Sequence, residues 1–266
     1  MVEIVSTKTV GVVKLLAENG VPYAAAQKAL RRRDVRVNGV RVGKDVAVRA
    51  GDKIAAYVDA APTHTVLYED ANLLAVDKRK GVESEALFEE LSRRGETYFI
   101  HRLDTNTDGV MLFAKNKAAE KELLHGFKTR AFEKYYLAEV YGSFEPDCGV
   151  LRDYLVKDAA ASSVKIYKTP VPNSVPVVTE YKTLEKRERT SLLEVRLVTG
   201  KTHQIRAHLA FYGHFVIGDG KYGAESVNRA LKAKKQRLTA RRVVLHFAGG
   251  ALAYLDGKTI EIKRGN

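Results

Sequence analysis

Residues 101–114, HRLDTNTDGVMLFA, change character abruptly within one short stretch. His101, Arg102 and Asp104 crowd its start, and Thr105, Asn106, Thr107, Asp108 and Gly109 follow. Short polar side chains bond their own backbone and glycine tolerates left-handed conformations, so this is a turn. Val110, Met111, Leu112, Phe113 and Ala114 then run without a polar side chain. Such a run is too short for a helix and suits a strand buried on both faces. A fold built on this chain must hold a charged turn at the end of a core strand.

The segment ahead of it divides in two. Val10, Val13, Leu15 and Leu16 predict an apolar helix that stops near Asn19-Gly20, and Pro22 suits the first turn of an alanine-rich helix over 23–33. That helix ends in Arg31, Arg32 and Arg33. Next, Val35-Arg36-Val37-Asn38-Gly39-Val40-Arg41-Val42 alternates apolar and basic residues about Asn-Gly, a strong hairpin signal. Gly51-Asp52 turns the chain into a strand over 53–58. The helix-terminal arginines alone fit a solvated helix end. Arg36 and Arg41 on the adjoining hairpin add convergent cations of the kind that contact phosphates. The two helices, the V-R-V-N-G hairpin and the later G-D turn resemble the S4 RNA-binding domain. That resemblance implies RNA contacts through Arg31, Arg32, Arg33, Arg36 and Arg41. Ala60-Ala61-Pro62-Thr63 is a small-residue linker, so we expect a small α/β domain over 1–60 and a larger domain over 61–266.

In the larger part, 73–76 and 109–114 predict buried strands, 86–94 and 116–130 predict helices, and 134–142 alternates as a strand. Residues 143–176 contain Pro146, Pro170, Pro172 and Pro176 and are expected to be loop-rich, with short strands such as 164–167. Residues 177–184 and 192–198 predict paired antiparallel strands, 202–212 a helix, 228–242 a basic segment and 243–247 a strand. Strands with segregated helices indicate an α+β class.

The chemistry narrows by exclusion. There is no G-x-x-x-x-G-K-S/T loop and no G-x-G-x-x-G fingerprint, so no nucleotide or dinucleotide cofactor is expected. His203 and His208 are five apart with no glutamate between them, and Cys148 is the sole cysteine, so no metal site is expected. A single cysteine also fits a reducing compartment. No apolar run of membrane-spanning length and no secretory leader is visible, so we expect a cytoplasmic protein without membrane partners. Net charge is +13, from 45 Lys+Arg against 32 Asp+Glu, which favours a polyanionic partner. What remains is a carboxylate acting with a cation and a phenol. An Arg-x-Asp turn such as Arg102/Asp104 is most simply a local ion pair. The second polar stretch, Gly200-Lys201-Thr202-His203-Gln204-Ile205-Arg206-Ala207-His208, puts Arg206 one turn into a helix, where it can pair with a buried carboxylate.

Together these stretches resemble the RluA-type pseudouridine synthases. The family's H-R-L-D-x-x-T-S-G is matched by residues 101–109, with Asp108 in place of serine. K-x-Y-x-A is matched by Lys134, Tyr136 and Ala138, and G-R-T-H-Q-I-R-x-H by residues 200–208, with Lys201 for arginine. G-D-x-x-Y-G is matched by Gly218, Asp219, Tyr222 and Gly223. The usual N-K-P-x-G turn departs, reading Asp77-Lys78-Arg79-Lys80-Gly81, and no proline precedes Gly218-Asp219.

The resemblance implies a mixed, mainly antiparallel pseudouridine synthase fold that isomerises uridine in RNA without a cofactor. Ribosomal RNA is the first expected substrate and transfer RNA the second. It implies Asp104 as the essential carboxylate, Arg206 as the cation holding it ionised, and Tyr136 as the ring stacking on the base and assisting loss of its C5 proton. Arg102 is expected to fill the gap left by a flipped base. His101, Lys134, Thr202 and Gln204 are expected to contact RNA, and the protein to act as a monomer. The rivals are an inactive RNA-binding factor, which needs no such trio, and a metal-dependent nuclease, which needs an acid cluster.

Overall fold

The structure, a computed structural model, describes residues 1–58, 62–158 and 160–263. Two compact units emerge, Met1–Thr63 and His64–Asn266. The predicted boundary between residues 60 and 61 lies outside the described residues.

The first unit comprises β1 (Val2–Val5), β2 (Val10–Gly11), α1 (Val12–Glu18), α2 (Tyr23–Arg31), β3 (Val35–Val37), β4 (Val40–Val42), β5 (Ala47–Val48) and β6 (Lys53–Ala56). Val12, Val13, Leu15 and Leu16 of α1 pack with Ala26, Ala29 and Leu30 of α2 and with Val35, Ile54 and Ala56. The β3–β4 hairpin turns on Asn38 (φ 50°) and Gly39 (φ 81°). Two successive left-handed residues match the right-handed twist of the flanking strands. The sheet runs β1-β6-β3-β4, and β1, not anticipated from the sequence, pairs with β6.

The second unit contains β7 (His64–Glu69), β8 (Leu73–Lys78), α3 (Ser84–Ser92), β9 (Tyr98–Phe99), β10 (Asp108–Ala114), α4 (Lys117–Thr129), β11 (Glu133–Tyr141) and β12 (Cys148–Asp158). It continues with β13 (Ser163–Tyr167), β14 (Val175–Lys186), β15 (Thr190–Leu197), α5 (Gln204–Phe211), α6 (Glu225–Ala230), β16 (Leu238–Val244) and β17 (Thr259–Glu261). One sheet runs β13-β12-β14-β15-β11-β16-β10-β8-β7, with β17 beside β16 and β9 beside β10. Its described pairings are antiparallel except β10 with β16, which is parallel.

β10 is the buried strand its composition predicts. Val110, Leu112 and Ala114 enter one apolar cluster with Ala119 and Leu123 of α4. Met111 and Phe113 enter another, with Leu87 and Leu91 of α3. That alternation is the two-residue period of a strand covered on both faces. The parallel pairing of β10 with β16 sets Asp108 opposite Thr239 and Gly109 opposite Ala240. Gly109 sits at φ +127°, and a Cβ there would lie 2.2 Å from the Ala240 carbonyl oxygen, so only glycine brings the turn this close to β16.

Two strands escape the sequence reading for physical reasons. The supposed loop-rich region 143–176 holds the eleven-residue strand β12. Leu151, Asp153 and Leu155 share its buried face, and the buried Asp153 interrupts the apolar alternation that marks a strand. The basic segment 228–242 likewise ends in β16, between β11 and β10 in the sheet. Leu238 and Ala240 are buried there, while Arg241 and Arg242 hide the pattern. Among the described residues, no helix is long and apolar enough to cross a membrane.

Candidate active site

The turn before β10 is tied down at Leu103, Asp104, Thr105 and Thr107. Ser84, at the start of α3, accepts from the Leu103 amide (3.0 Å) and donates to its carbonyl (2.8 Å). The Lys78 ammonium, fully buried, donates to the carbonyls of Val82 (2.8 Å), Asp104 (3.3 Å) and Thr105 (3.4 Å). Gly81 N–H also donates to the Thr105 carbonyl, and Gln236 donates to the buried Thr107 hydroxyl. Burial pushes Lys78 down to about 8 despite the opposing charges of Asp108, Asp104 and Asp77. Desolvating an ammonium costs several kcal/mol. Bonds to a charged donor return about 1.5–3 kcal/mol each. The lysine therefore spends its binding capacity on fixing this loop.

Asp108 is turned into the protein. It is buried, accepts from the Thr239 hydroxyl (2.7 Å) and pairs with Lys80 (3.4 Å). The acid in the family's serine position is thus a clamp between the turn and β16.

Asp104 remains partly open, and its Oδ2 accepts from Arg206 Nη1 at 2.7 Å. The predicted pairing is present, with a partner the sequence reading did not assign. Arg206 Nε and Nη2 donate to Asp219 at 2.6 and 3.0 Å. Asp219 also accepts the amides of Lys221 and Tyr222. Burial alone would weaken the guanidinium's charge, but Asp219 and then Asp104 outweigh it and hold the pKa well above the usual value. In turn, burial would raise Asp219, and Arg206 holds it below the carboxylate range.

Arg206 rides on α5, whose seat is polar. His208 bridges the Thr179 hydroxyl and Asp153 Oδ2, each at 2.9 Å, and Tyr212 donates to the same Oδ2 (2.7 Å). Gln204, expected at the RNA surface, is instead buried in this seat. It donates to the Val178 carbonyl and Thr179 hydroxyl, and accepts from the Thr199 hydroxyl and Lys201 amide. That leaves it no bond for RNA. The helix starts at Gln204, later than predicted, because His203 takes a left-handed conformation (φ 52°).

A cleft of about 550 Å³ opens above Asp104, in the range of small-ligand pockets. Tyr136 lines it, beside a bulge where Tyr135 pairs with Arg242 and Tyr136 with Ala240. Bulges re-aim side chains in this way. No described residue bonds its hydroxyl, and burial, with the Asp104 charge added, pushes its pKa upward. Lys128, Arg130, Lys134, Lys201 and the exposed Thr202 also line the cleft. Arg102 is exposed and pairs with Glu85 (2.7 Å) rather than with Asp104. His101, expected to touch the RNA backbone, accepts from the Leu112 amide (3.0 Å) and stacks on Phe127 (4.4 Å). Burial, reinforced by Lys134, holds its pKa down to about 3.

Sequence reasoning assigned no role to Lys78, His203, Asp219 or Tyr222. Each nevertheless fell on a motif position: Lys78 in the 77–81 turn, His203 in the 200–208 stretch, and Asp219 and Tyr222 in the G-D-x-x-Y-G match. His203 Nε2 lies 3.9 Å from Asp104 Oδ2, and its Nδ1 lies 3.0 Å from the Tyr222 hydroxyl.

Residues 65–211 match the RNA pseudouridylate synthase family. The ribosomal large subunit pseudouridine synthase C of Escherichia coli K12 is 30% identical over 278 residues, covering 92% of this chain and 84% of that protein. Its namesake in Vibrio parahaemolyticus is 29% identical, covering 86% and 79%. The solved human RNA pseudouridylate synthase domain containing 1 superposes with a TM-score of 0.65 at 25% identity, over 76% of this chain and 83% of that one. The chain belongs to the RNA pseudouridylate synthase family, enzymes that isomerise uridine in RNA.

Proposed function

We propose that the enzyme acts on large-subunit ribosomal RNA and that Asp104 is its essential carboxylate. The observation that carries the reading is Asp104 held at 2.7 Å by Arg206 on the floor of a cation-rimmed cleft. The names of the two bacterial relatives support the ribosomal assignment. Isomerisation detaches uracil from the ribose, turns it and rejoins it through C5, so the target base must leave its stack. Asp104 acts on the ribose. Tyr136 stacks on the base and, with its pKa raised by burial, stays a neutral phenol. Arg102 is held only by an exposed pair, worth about 0–1 kcal/mol, and is released when RNA arrives. In this reading, Asp104→Asn lowers single-turnover pseudouridine formation by about 10³-fold or more while RNA still binds. Mapping pseudouridine in cellular RNA with and without the gene then shows a large-subunit ribosomal site disappearing. Near-normal turnover by the variant, or loss confined to transfer RNA, would overturn the assignment.

Lys128, Arg130, Lys134 and Lys201 supply the phosphate contacts around the cleft, because none of their side chains has a carboxylate partner among the described residues. Burial, then the charge of Arg130, pushes Lys134 down to about 8. A bound phosphate favours the charged form, so the complex takes up a proton once pH exceeds that value. RNA affinity therefore falls above pH about 8, by at most about tenfold per pH unit. Lys134→Arg, which stays charged, flattens this limb in a binding titration.

The first unit acts as an S4-like RNA-binding domain. Arg36 and Arg41 lie directly opposite one another across the hairpin. Like charges so placed cost stability, and the Arg36 Nε is buried with no partner. Phosphate relieves both problems. Replacing both arginines with alanine lowers the slope of log affinity against log salt by about 1.5–2. An unchanged slope excludes these contacts.

A further inference from the structure

His203 stands in an uncommon position. Its backbone is left-handed (φ 52°, ψ 16°), which costs an ordinary residue about 1–2 kcal/mol. The conformation turns its ring between Tyr222 and Asp104, with centroids 5.6 Å from Tyr222 in an edge-on arrangement. Strain of this kind is kept where it aims a group.

Its tautomer follows from its neighbour. The Tyr222 hydroxyl accepts from the Val164 amide at 2.9 Å. Its own single proton then finds a described acceptor in His203 Nδ1, at 3.0 Å. Nδ1 is therefore the acceptor, and the ring hydrogen sits on Nε2, which faces Asp104. Burial keeps the imidazole neutral by lowering its pKa. The Asp104 and Asp219 carboxylates pull the other way, while the Arg206 and Lys221 charges reinforce the lowering.

The Nε2–Asp104 Oδ2 separation of 3.9 Å is too long for a direct bond. It is the right size for one bridging atom. An oxygen at about 2.8 Å from each closes a triangle with an angle of about 90° at that oxygen. Such an atom must accept from Nε2–H and donate to the carboxylate. Uracil carbonyls and phosphate oxygens only accept, and the uracil N–H groups only donate. Among the groups of a nucleotide, a hydroxyl alone does both. In a nucleotide inside an RNA strand the 3′ and 5′ oxygens are esterified, so the 2′-hydroxyl is the one left. It adjoins C1′, the carbon from which the base departs.

We propose that His203, its tautomer set by Tyr222, reads the 2′-hydroxyl of the target ribose together with Asp104 Oδ2, and so makes the site selective for RNA over DNA. This rests on the reading of the cleft as the uridine site. The test uses a synthetic RNA fragment around the uridine that mapping identifies, carrying pseudouridine at that position so that nothing further turns over. A second fragment carries 2′-deoxypseudouridine. Equilibrium binding by wild-type protein favours the ribose form by about tenfold, equivalent to about 1.4 kcal/mol. His203→Ala reduces the preference to about twofold. His203→Gln, whose side-chain amide keeps a donor, retains most of it and guards against an alanine variant that fails to fold. Tyr222→Phe, which frees the tautomer, falls between. A wild-type protein with no preference, or a His203→Ala protein that weakens on both fragments in parallel, overturns the inference. A wild-type protein that forms no pseudouridine at all overturns the functional reading instead.

Discussion

Arg206 gives its guanidinium to two carboxylates at once, and the site depends on that division. Nε and Nη2 are anchored by Asp219, which leaves Nη1 aimed at Asp104. A planar fork with fixed donor directions can do this, whereas a point charge on a flexible stem cannot. Asp219 is fully buried and Asp104 partly open, so the inner carboxylate sets the arginine and the arginine sets the outer carboxylate. The remaining negative charge sits in a cleft whose rim is basic. This arrangement lets a carboxylate approach a polyanionic substrate without repelling it.

The two sides of that bridge come from distant parts of the chain. Asp104 belongs to a turn fastened by Ser84, Lys78, Gly81 and Gln236, and ended by a glycine in contact with β16. Arg206 belongs to a helix seated on Thr179 and Asp153 through His208 and Gln204. Both supports are buried polar networks, in which unmade bonds cost more than made ones contribute. Rigidity on each side is what holds the Arg206–Asp104 contact at 2.7 Å.

Legibility in the sequence followed local signals. The core strand β10, the Asn-Gly hairpin and the α4 helix were readable because their periodicity or turn chemistry is local. The link between Asp104 and Arg206, 102 residues apart, came from motif resemblance rather than from any physical pattern in the chain. Strand β12 was hidden because Asp153 takes a core position to hold His208, and β16 because Arg241 and Arg242 break its apolar run. Gln204 was expected at the RNA from the motif resemblance, yet it is buried with all its bonds made, while His101 lines the cleft with its ring fixed by the Leu112 amide. Burial of a polar side chain is decided by partners far away in sequence, and residue type alone does not reveal it. Nor does anything in the residues around His203 announce a left-handed backbone.

The most direct test of this account replaces Arg206 by lysine, which keeps the charge but cannot bond Asp219 through two nitrogens while holding Asp104. Displacing a reacting group by about 1 Å can cost about 10²-fold in rate. Single-turnover pseudouridine formation at saturating RNA should therefore fall by about 10²-fold, with RNA affinity within about twofold of wild type. A lysine variant that turns over at nearly the wild-type rate would show that charge alone suffices, and would contradict the role given to the two-carboxylate bridge.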